Sequence, residues 1–356
     1  MASTAGASPE PGTTAMVVDD VVNGSEAERT QAARADVQRF RDVTLDILRR
    51  STCLDIIPDS GKVVVFDSEL PIKHAFFGLV EHDIKCAPVW DSRTCDYSGM
   101  ITVTDFNAIL LHFYDSAEFR QSTDKFALKL GEYTVRQWNE LKRGDTPLPR
   151  PKLFFTLPED SLLDGVRVLV VRNIHRLPVM QLSPENVILC INNLQRILRF
   201  ILHHIEARGQ SSLLERIRVG DLPVGSFGDG CARISGSMTL IEVLKLLKRS
   251  RTPAVAIVDQ QGRYVDAYSR SDVRYLAVDM THDKFEKPII DIVSMRENRM
   301  LTVTRRTTLD RMFSSLLSSR KHACIVLDDD RVVLGILSLS DVFQFFLEND
   351  LQPPNT

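Results

Sequence analysis

Three aspartates, Asp105, Asp272 and Asp341, occupy the same place in three stretches of the chain, just after an apolar run and at the head of an amphipathic one. A carboxylate there can accept hydrogen bonds from the backbone N–H groups that open a helix, or from the hydroxyls of a ligand. In a fourth stretch the matching position is Arg196, a cation with no acceptor atom. Ahead of each lies a cation or an imidazole: Lys85, the pair His175-Arg176, Arg251 and His322. Arg can grip phosphate bidentately, Lys offers a compact charge, and His donates a hydrogen bond and titrates near neutral pH. The plainer reading of the pair is a packed His and a solvated Arg at a strand start. Arg296 and Arg299, in the loop before the last stretch, could add charge or simply be solvated. Thr102, Thr104, Ser338 and Ser340 place hydroxyls near the same strand ends, where they could donate to a ligand or cap locally.

Motifs for turnover are missing. There is no P-loop, no Gly-x-Gly-x-x-Gly, no Gly-x-Ser-x-Gly and no kinase signature. Gly225, Gly228 and Gly230 lie close together, but no Lys-Ser/Thr follows, so the segment reads as a loop insertion. The six cysteines form no Cys-x-x-Cys pair and have no His at zinc spacing, which fits scattered thiols in a reducing compartment and no metal. A net charge of −3 gives no overall attraction to nucleic acid or to anionic lipid. No apolar run approaches the roughly 20 residues of a membrane span, and Met16-Val17-Val18 is cut short by Asp19-Asp20. These features predict a soluble, cytoplasmic protein, with the nucleus left open, and no nucleic-acid or membrane partner.

The elements that must position these residues recur. Residues 1–35, rich in Ala, Ser, Thr, Gly and Pro, read as a flexible tail. Val37, Phe40, Val43 or Thr44, and Ile47 or Leu48 predict a helix from Asp36 to Arg50 with one buried face. Val63-Val64-Val65-Phe66 reads as a buried strand, Asp67 or Ser68 as a cap, and Pro71 as a first-turn proline before a helix that buries Ala75, Phe76, Leu79 and Val80. Strands follow at Ala87–Trp90 and Gly99–Val103, then a helix from Thr104-Asp105 with Phe106, Ile109 and Leu110 inward. The same order returns three times. From the third residue of the first strand to the closing Asp or Arg the steps are 16, 17, 17 and 16 residues. An internal repeat that keeps order, residue type and length fixes the architecture before anything else.

The strand–strand–helix unit ending in Ser/Thr-x-Ser/Thr-Asp resembles the CBS motif, whose pairs form Bateman domains. The runs Cys53–Pro58, Phe66–Ser92 and Gly99–Phe106, the heptapeptide Asn173–Val179 and the run Gly335–Asp341 are similar to the γ regulatory subunits of AMP-activated protein kinase, over about residues 40–349. The resemblance implies an α/β (α+β) fold of four CBS motifs paired into two Bateman domains in a flattened disc. It places the first Bateman domain at 36–205 (repeats at about 53–115 and 150–205) and the second at 213–349 (repeats at about 213–280 and 288–349).

It also implies a non-catalytic subunit that binds AMP, ADP and ATP and sits in a heterotrimer with a catalytic α kinase subunit and a scaffolding β subunit. Asp105, Asp272 and Asp341 would take ribose hydroxyls, and Arg196 would leave the second repeat without a ribose site. Lys85, His175, Arg176, Arg251, Arg296 and His322 would face phosphates. Further contacts would come from Met100, Ile101, Thr102, Val103 and Thr104, from Pro253, Ala254, Ser269, Arg270 and Ser271, and from Ser338, Leu339 and Ser340. Gln195 and Ala323 each stand where the family usually carries a cation, and a lost charge-assisted hydrogen bond costs about 1.5–3 kcal/mol. Two alternatives follow: a γ-like scaffold with weakened sensing, and a stand-alone adenylate-binding module.

Overall fold

A computed structural model describes residues 15–59, 62–114, 131–144, 153–183, 185–250, 252–276, 282–296 and 299–348. The proline-rich run through Pro147, Pro149 and Pro151 lies outside them, as do Arg251 and residues 1–14.

The chain opens on α1 (Ala15–Arg50). It starts well before the expected Asp36, so the flexible-tail reading is corrected from residue 15 onward. Residues 26–34 are mostly Ala, Glu, Gln and Arg, all good helix formers, and extending a helix from a packed segment costs little once its nucleus exists. The packed part is the expected face: Val37, Phe40, Thr44, Ile47 and Leu48 are buried.

Repeat one runs β1 (Phe66–Asp67), α2 (Ile72–Glu81), β2 (Cys86–Asp91), β3 (Asp96–Thr102) and α3 (Asp105–Tyr114). β1 pairs parallel to β2, and β2 antiparallel to β3. A parallel pair needs a crossover, and α2 supplies it. The expected strand from Val63 shrinks to two residues, because Val65 points to solvent (41% exposed) and only Phe66 and Asp67 find partners on β2. Neither Asp67 nor Ser68 caps α2. Its N-cap is Pro71, while the Asp67 carboxylate accepts from Glu69 N at 2.7 Å. After α4 (Val135–Gly144), repeat two has α5 (Leu162–Val171), β4 (Leu177–Gln181), β5 (Val187–Asn192) and α6 (Leu194–Ala207). A single parallel bridge, Thr156 to Val179, stands in for its first strand.

α7 (Ser212–Arg216) links the halves. Repeat three has β7 (Arg233–Ser235), α8 (Leu240–Ser250), β8 (Ala254–Val258), β9 (Tyr264–Ser269) and a 3-10 helix, Arg270–Leu276. Two short helices, α9 (His282–Phe285) and α10 (Ile289–Ser294), lead to repeat four: β10 (Leu301–Thr304), α11 (Leu309–Ser318), β11 (Ala323–Leu327), β12 (Val333–Ser338) and α12 (Leu339–Leu347). The glycine-rich insertion is not a plain loop. Ser226–Phe227, here β6 by chain order, pairs antiparallel with β12 as an extra edge strand, Phe227 opposite Gly335.

Repetition extends to irregularities. Each β-hairpin carries one register shift at the same place, after Val89, Val179, Ile257 and Val326. The helices α2, α5 and α11 end in a left-handed residue, Asp83, Asn173 and Arg320, with φ of 48°, 51° and 53°. The N–H groups there turn back onto helix carbonyls, as Ile84 does to Leu79 O at 2.9 Å and Ile174 to Leu169 O at 2.9 Å. This is a Schellman-type ending, and it launches the next strand two residues later from Lys85, His175 or His322.

Among the described residues, four apolar clusters hold the repeats together. Tyr97, Met180 and Ile188 join the sheets of repeats one and two, while Ala254, Ala256, Ala323 and Ile325 join those of three and four. The helices pair the other way. Phe76, Phe106 and Ile109 of repeat one pack with Leu240, Leu244 and Val273 of repeat three. Repeat two packs with repeat four and α1, through Leu198, Ile201, Phe343 and Phe40. Each fully buried aromatic or aliphatic side chain contributes about 1.5–3 kcal/mol, so each half is stabilised by the other. Among the described residues no helix is long and apolar enough to cross a membrane.

Candidate functional site

Where the four repeats meet lies a cavity of about 1420 Å³. Its wall contains Asp105, Asp272 and Asp341 from three repeats, and Lys85, His175, Arg176 and His322 from three.

The aspartates arrive by one local device. Asp341 accepts from Ser338 N and Ser338 Oγ, each at 2.8 Å, while its own N–H donates back to Ser338 Oγ at 3.2 Å. Asp105 repeats this with Thr102, at 2.8, 2.8 and 3.3 Å. This reciprocal capping box fixes the carboxylate through Oδ2 at the cavity wall. Cap and ligand acceptor are therefore compatible roles for one side chain. Asp272 accepts from Ser269 N at 2.8 Å. In repeat two Asn193 caps α6 instead, accepting from Arg196 N at 3.0 Å, and no carboxylate stands at that corner. Arg196 Nη1 is buried with no hydrogen-bond partner among the described residues.

The strand ends follow side-chain alternation. Met100, Thr102, Val103 and Thr104 line the cavity, and Thr102 and Thr104 hydroxyls lie 2.9 Å apart. Ile101 points the other way, fully buried in the core shared by repeats one and three, so its side chain is no ligand contact. The Ala254 side chain is likewise turned away from the cavity. It is buried between the sheets of repeats three and four, while Pro253, Ser269 and Ser271 reach the cavity. Ser338, Leu339 and Ser340 line it too. Arg270 lines the wall but is committed to protein, donating to Thr252 O at 2.8 Å and Leu247 O at 2.5 Å. Arg296 is not a loop cation facing phosphate but a buried residue, and Arg299 is exposed.

The positive groups perturb one another. Lys85 Nζ donates to Arg320 O at 3.1 Å and lies 3.4 Å from His322 Nε2. Burial, then the charges of Arg176, Arg274 and Lys321, pushes the Lys85 amine down to about 8. His322 is held far below the usual imidazole range by burial and then by Lys85 and Arg176. His175 is lowered by burial, then by Arg176 and Arg270. It lines the cavity while remaining exposed at the surface. Like charges gathered in a low-dielectric pocket are costly unless an anion joins them.

Four cations in this wall carry no expectation from the sequence: Lys248, Arg274, Arg320 and Lys321. Arg274 Nη1 and Arg320 Nη1 meet the Asp83 carboxylate at 3.3 and 3.1 Å. A signal was present. Arg320 and Lys321 directly precede His322, and Arg274 follows Asp272 by two residues. Gln195, where a cation was expected, is structural. Its Nε2 donates to Leu316 O at 3.2 Å and Lys321 O at 2.7 Å, tying repeat two to repeat four.

A family model described as CBS domain matches residues 55–112, 230–279 and 289–348. The chain is 33% identical over 330 residues to the 5'-AMP-activated protein kinase subunit gamma of Dictyostelium discoideum, covering 90% of this chain and 55% of that protein. It is 29% identical over 305 residues to the gamma-3 subunit of Sus scrofa, covering 85% and 57%. The chain thus spans somewhat more than half the length of these curated relatives. Among solved structures, a Methanocaldococcus jannaschii protein described as a candidate archaeal homologue of the kinase γ subunit superposes with a TM-score of 0.61 at 14% identity, covering 83% of this chain and 100% of that one. At that identity the likeness speaks for the fold, an α+β assembly of CBS repeats.

Proposed function

We propose that the chain is a CBS-domain protein of the γ-subunit type, a non-catalytic regulatory subunit that binds AMP, ADP and ATP. Its partners in this reading are a catalytic α kinase subunit and a scaffolding β subunit. The observation that carries the reading is one cavity whose wall combines repeat aspartates with Lys85, His175, Arg176 and His322. An adenylate needs an apolar slot for the base, a carboxylate for the ribose hydroxyls and several cations for phosphate. Asp105 and Asp341 are the half-buried carboxylates. The cation cluster supplies the phosphate side. A ligand shifts a kinase assembly only if it binds two of its states with different affinity. A phosphate reaching cations from several repeats at once would do so, because any sliding of one repeat changes the cluster.

The scaffold-only alternative rests on the cations replaced by Gln195 and Ala323. Arg274, Arg320 and Lys321 bring positive charge to the same wall from other positions, which favours the sensor. Calorimetric titration of the purified chain with AMP, ADP and ATP tests it. Binding at micromolar to sub-millimolar concentration is expected; none at millimolar nucleotide would sink the sensor reading.

A further inference from the structure

Asp272 differs from its counterparts, and the difference lies behind the cavity wall. Arg296, just after α10, reaches the segment that carries it. Its Nη1 donates to Asp272 Oδ2 at 2.5 Å, and its Nη2 donates to Asp266 Oδ1 and, at 2.5 Å, to Ala267 O. The three side chains are 2%, 4% and 7% exposed for Arg296, Asp272 and Asp266. Asp341 is half-buried and accepts from neutral donors, with no cation at ion-pair distance among the described residues. The neighbouring Arg270 is also spent on protein carbonyls.

We propose that Arg296 withdraws Asp272 from ligand binding, so that repeat three is a structural module and ribose is taken by Asp341 but not by Asp272. The inference rests on the nucleotide reading above. A ribose hydroxyl is a neutral donor. To engage Asp272 it would have to enter a desolvated site where a guanidinium already neutralises the carboxylate. Removing one partner of a buried ion pair leaves the other charge uncompensated, so the arrangement is self-sustaining. Asp266, which also accepts from Ala267 N at 2.8 Å, holds the other nitrogen and prevents Arg296 from swinging toward the cavity with Asp272 in place.

The test is AMP calorimetry on the full chain. Asp341→Asn should weaken AMP binding at least tenfold or remove one equivalent. Asp272→Asn should leave affinity and stoichiometry within twofold of the parent. Equal losses from the two changes would overturn the proposal. An unfolding cycle in urea reads the ion pair without nucleotide. Arg296→Gln and Asp272→Asn should show at least tenfold coupling in the unfolding constant, and additive effects would also overturn it. Arg296→Lys, which keeps the charge but loses the fork, serves in the cycle if the Gln variant does not fold. A parent chain that takes up no AMP would refute the nucleotide reading instead, and the cycle would then decide the role of Arg296 alone.

Discussion

Lys85 Nζ donates to the main-chain carbonyl of Arg320 at 3.1 Å, so a cation of repeat one is held by the turn that launches the last sheet of repeat four. The bond places an ammonium against His322 and leaves its charge facing the cavity.

Affinity for adenylates should therefore depend on alkaline pH. The free-state Lys85 value is about 8, so its charge is complete below that and is lost as pH rises through it. A bound phosphate raises the value again, so binding takes up a proton, and affinity should fall above pH 8 by up to about tenfold per pH unit. The free chain behaves oppositely. Between about 8 and the ordinary lysine value of 10.5 the unfolded state binds more protons, so stability rises with pH across that window. Calorimetry from pH 7 to 9.5 checks the first point, and Lys85→Met should flatten the slope.

Arg176 sits deeper, its guanidinium lowered by burial and then by Arg196. Arg176→Gln should weaken AMP by about tenfold or more, the equivalent of one charge-assisted hydrogen bond. Unchanged affinity would remove Arg176 from the site.

Gln195→Leu should destabilise the chain by about 1–2 kcal/mol, because it strands the carbonyl of Lys321 in a part-buried seam, while Leu316 O keeps its bond from Lys321 N at 3.1 Å. A lower urea midpoint at unchanged slope is the expected signature.

Gly335 has no room for a side chain. A Cβ there would lie 2.4 Å from the Phe227 ring and 2.6 Å from the Ser226 carbonyl oxygen. Gly335→Ala should release the edge strand Ser226–Phe227 at a cost of about 1–3 kcal/mol. Faster hydrogen exchange at Phe227, with β11 and β12 still protected, would show it.

What the sequence revealed was local. Asp105 and Asp341 could be placed because a capping box spans four residues and rests on Ser or Thr at its head. The strand runs Ala87–Trp90 and Ala323–Ile325 announced themselves by unbroken apolar composition. What it concealed was set by partners distant in the chain. Val65 has the composition of a buried strand, yet no neighbouring strand reaches it. Ser226 and Phe227 pair with a strand more than a hundred residues later. Arg296 looks like any surface arginine until Asp266 and Asp272 are brought to it. Ile101 and Met100 differ only in which side of a sheet each faces, and that depends on register.

The contact between the first and last described helices has a further consequence. Phe40 lies edge-on to Phe346 at 5.3 Å, and Arg41 Nε donates to Phe346 O at 3.2 Å. With repeats one and three also sharing a core, the modules form a closed circuit rather than a row. A circuit has no intrinsic first member. Recutting in the Arg208–Ser211 connection, with α12 joined to α1 by a flexible linker, gives a circular permutant in which repeats three and four are synthesised before one and two.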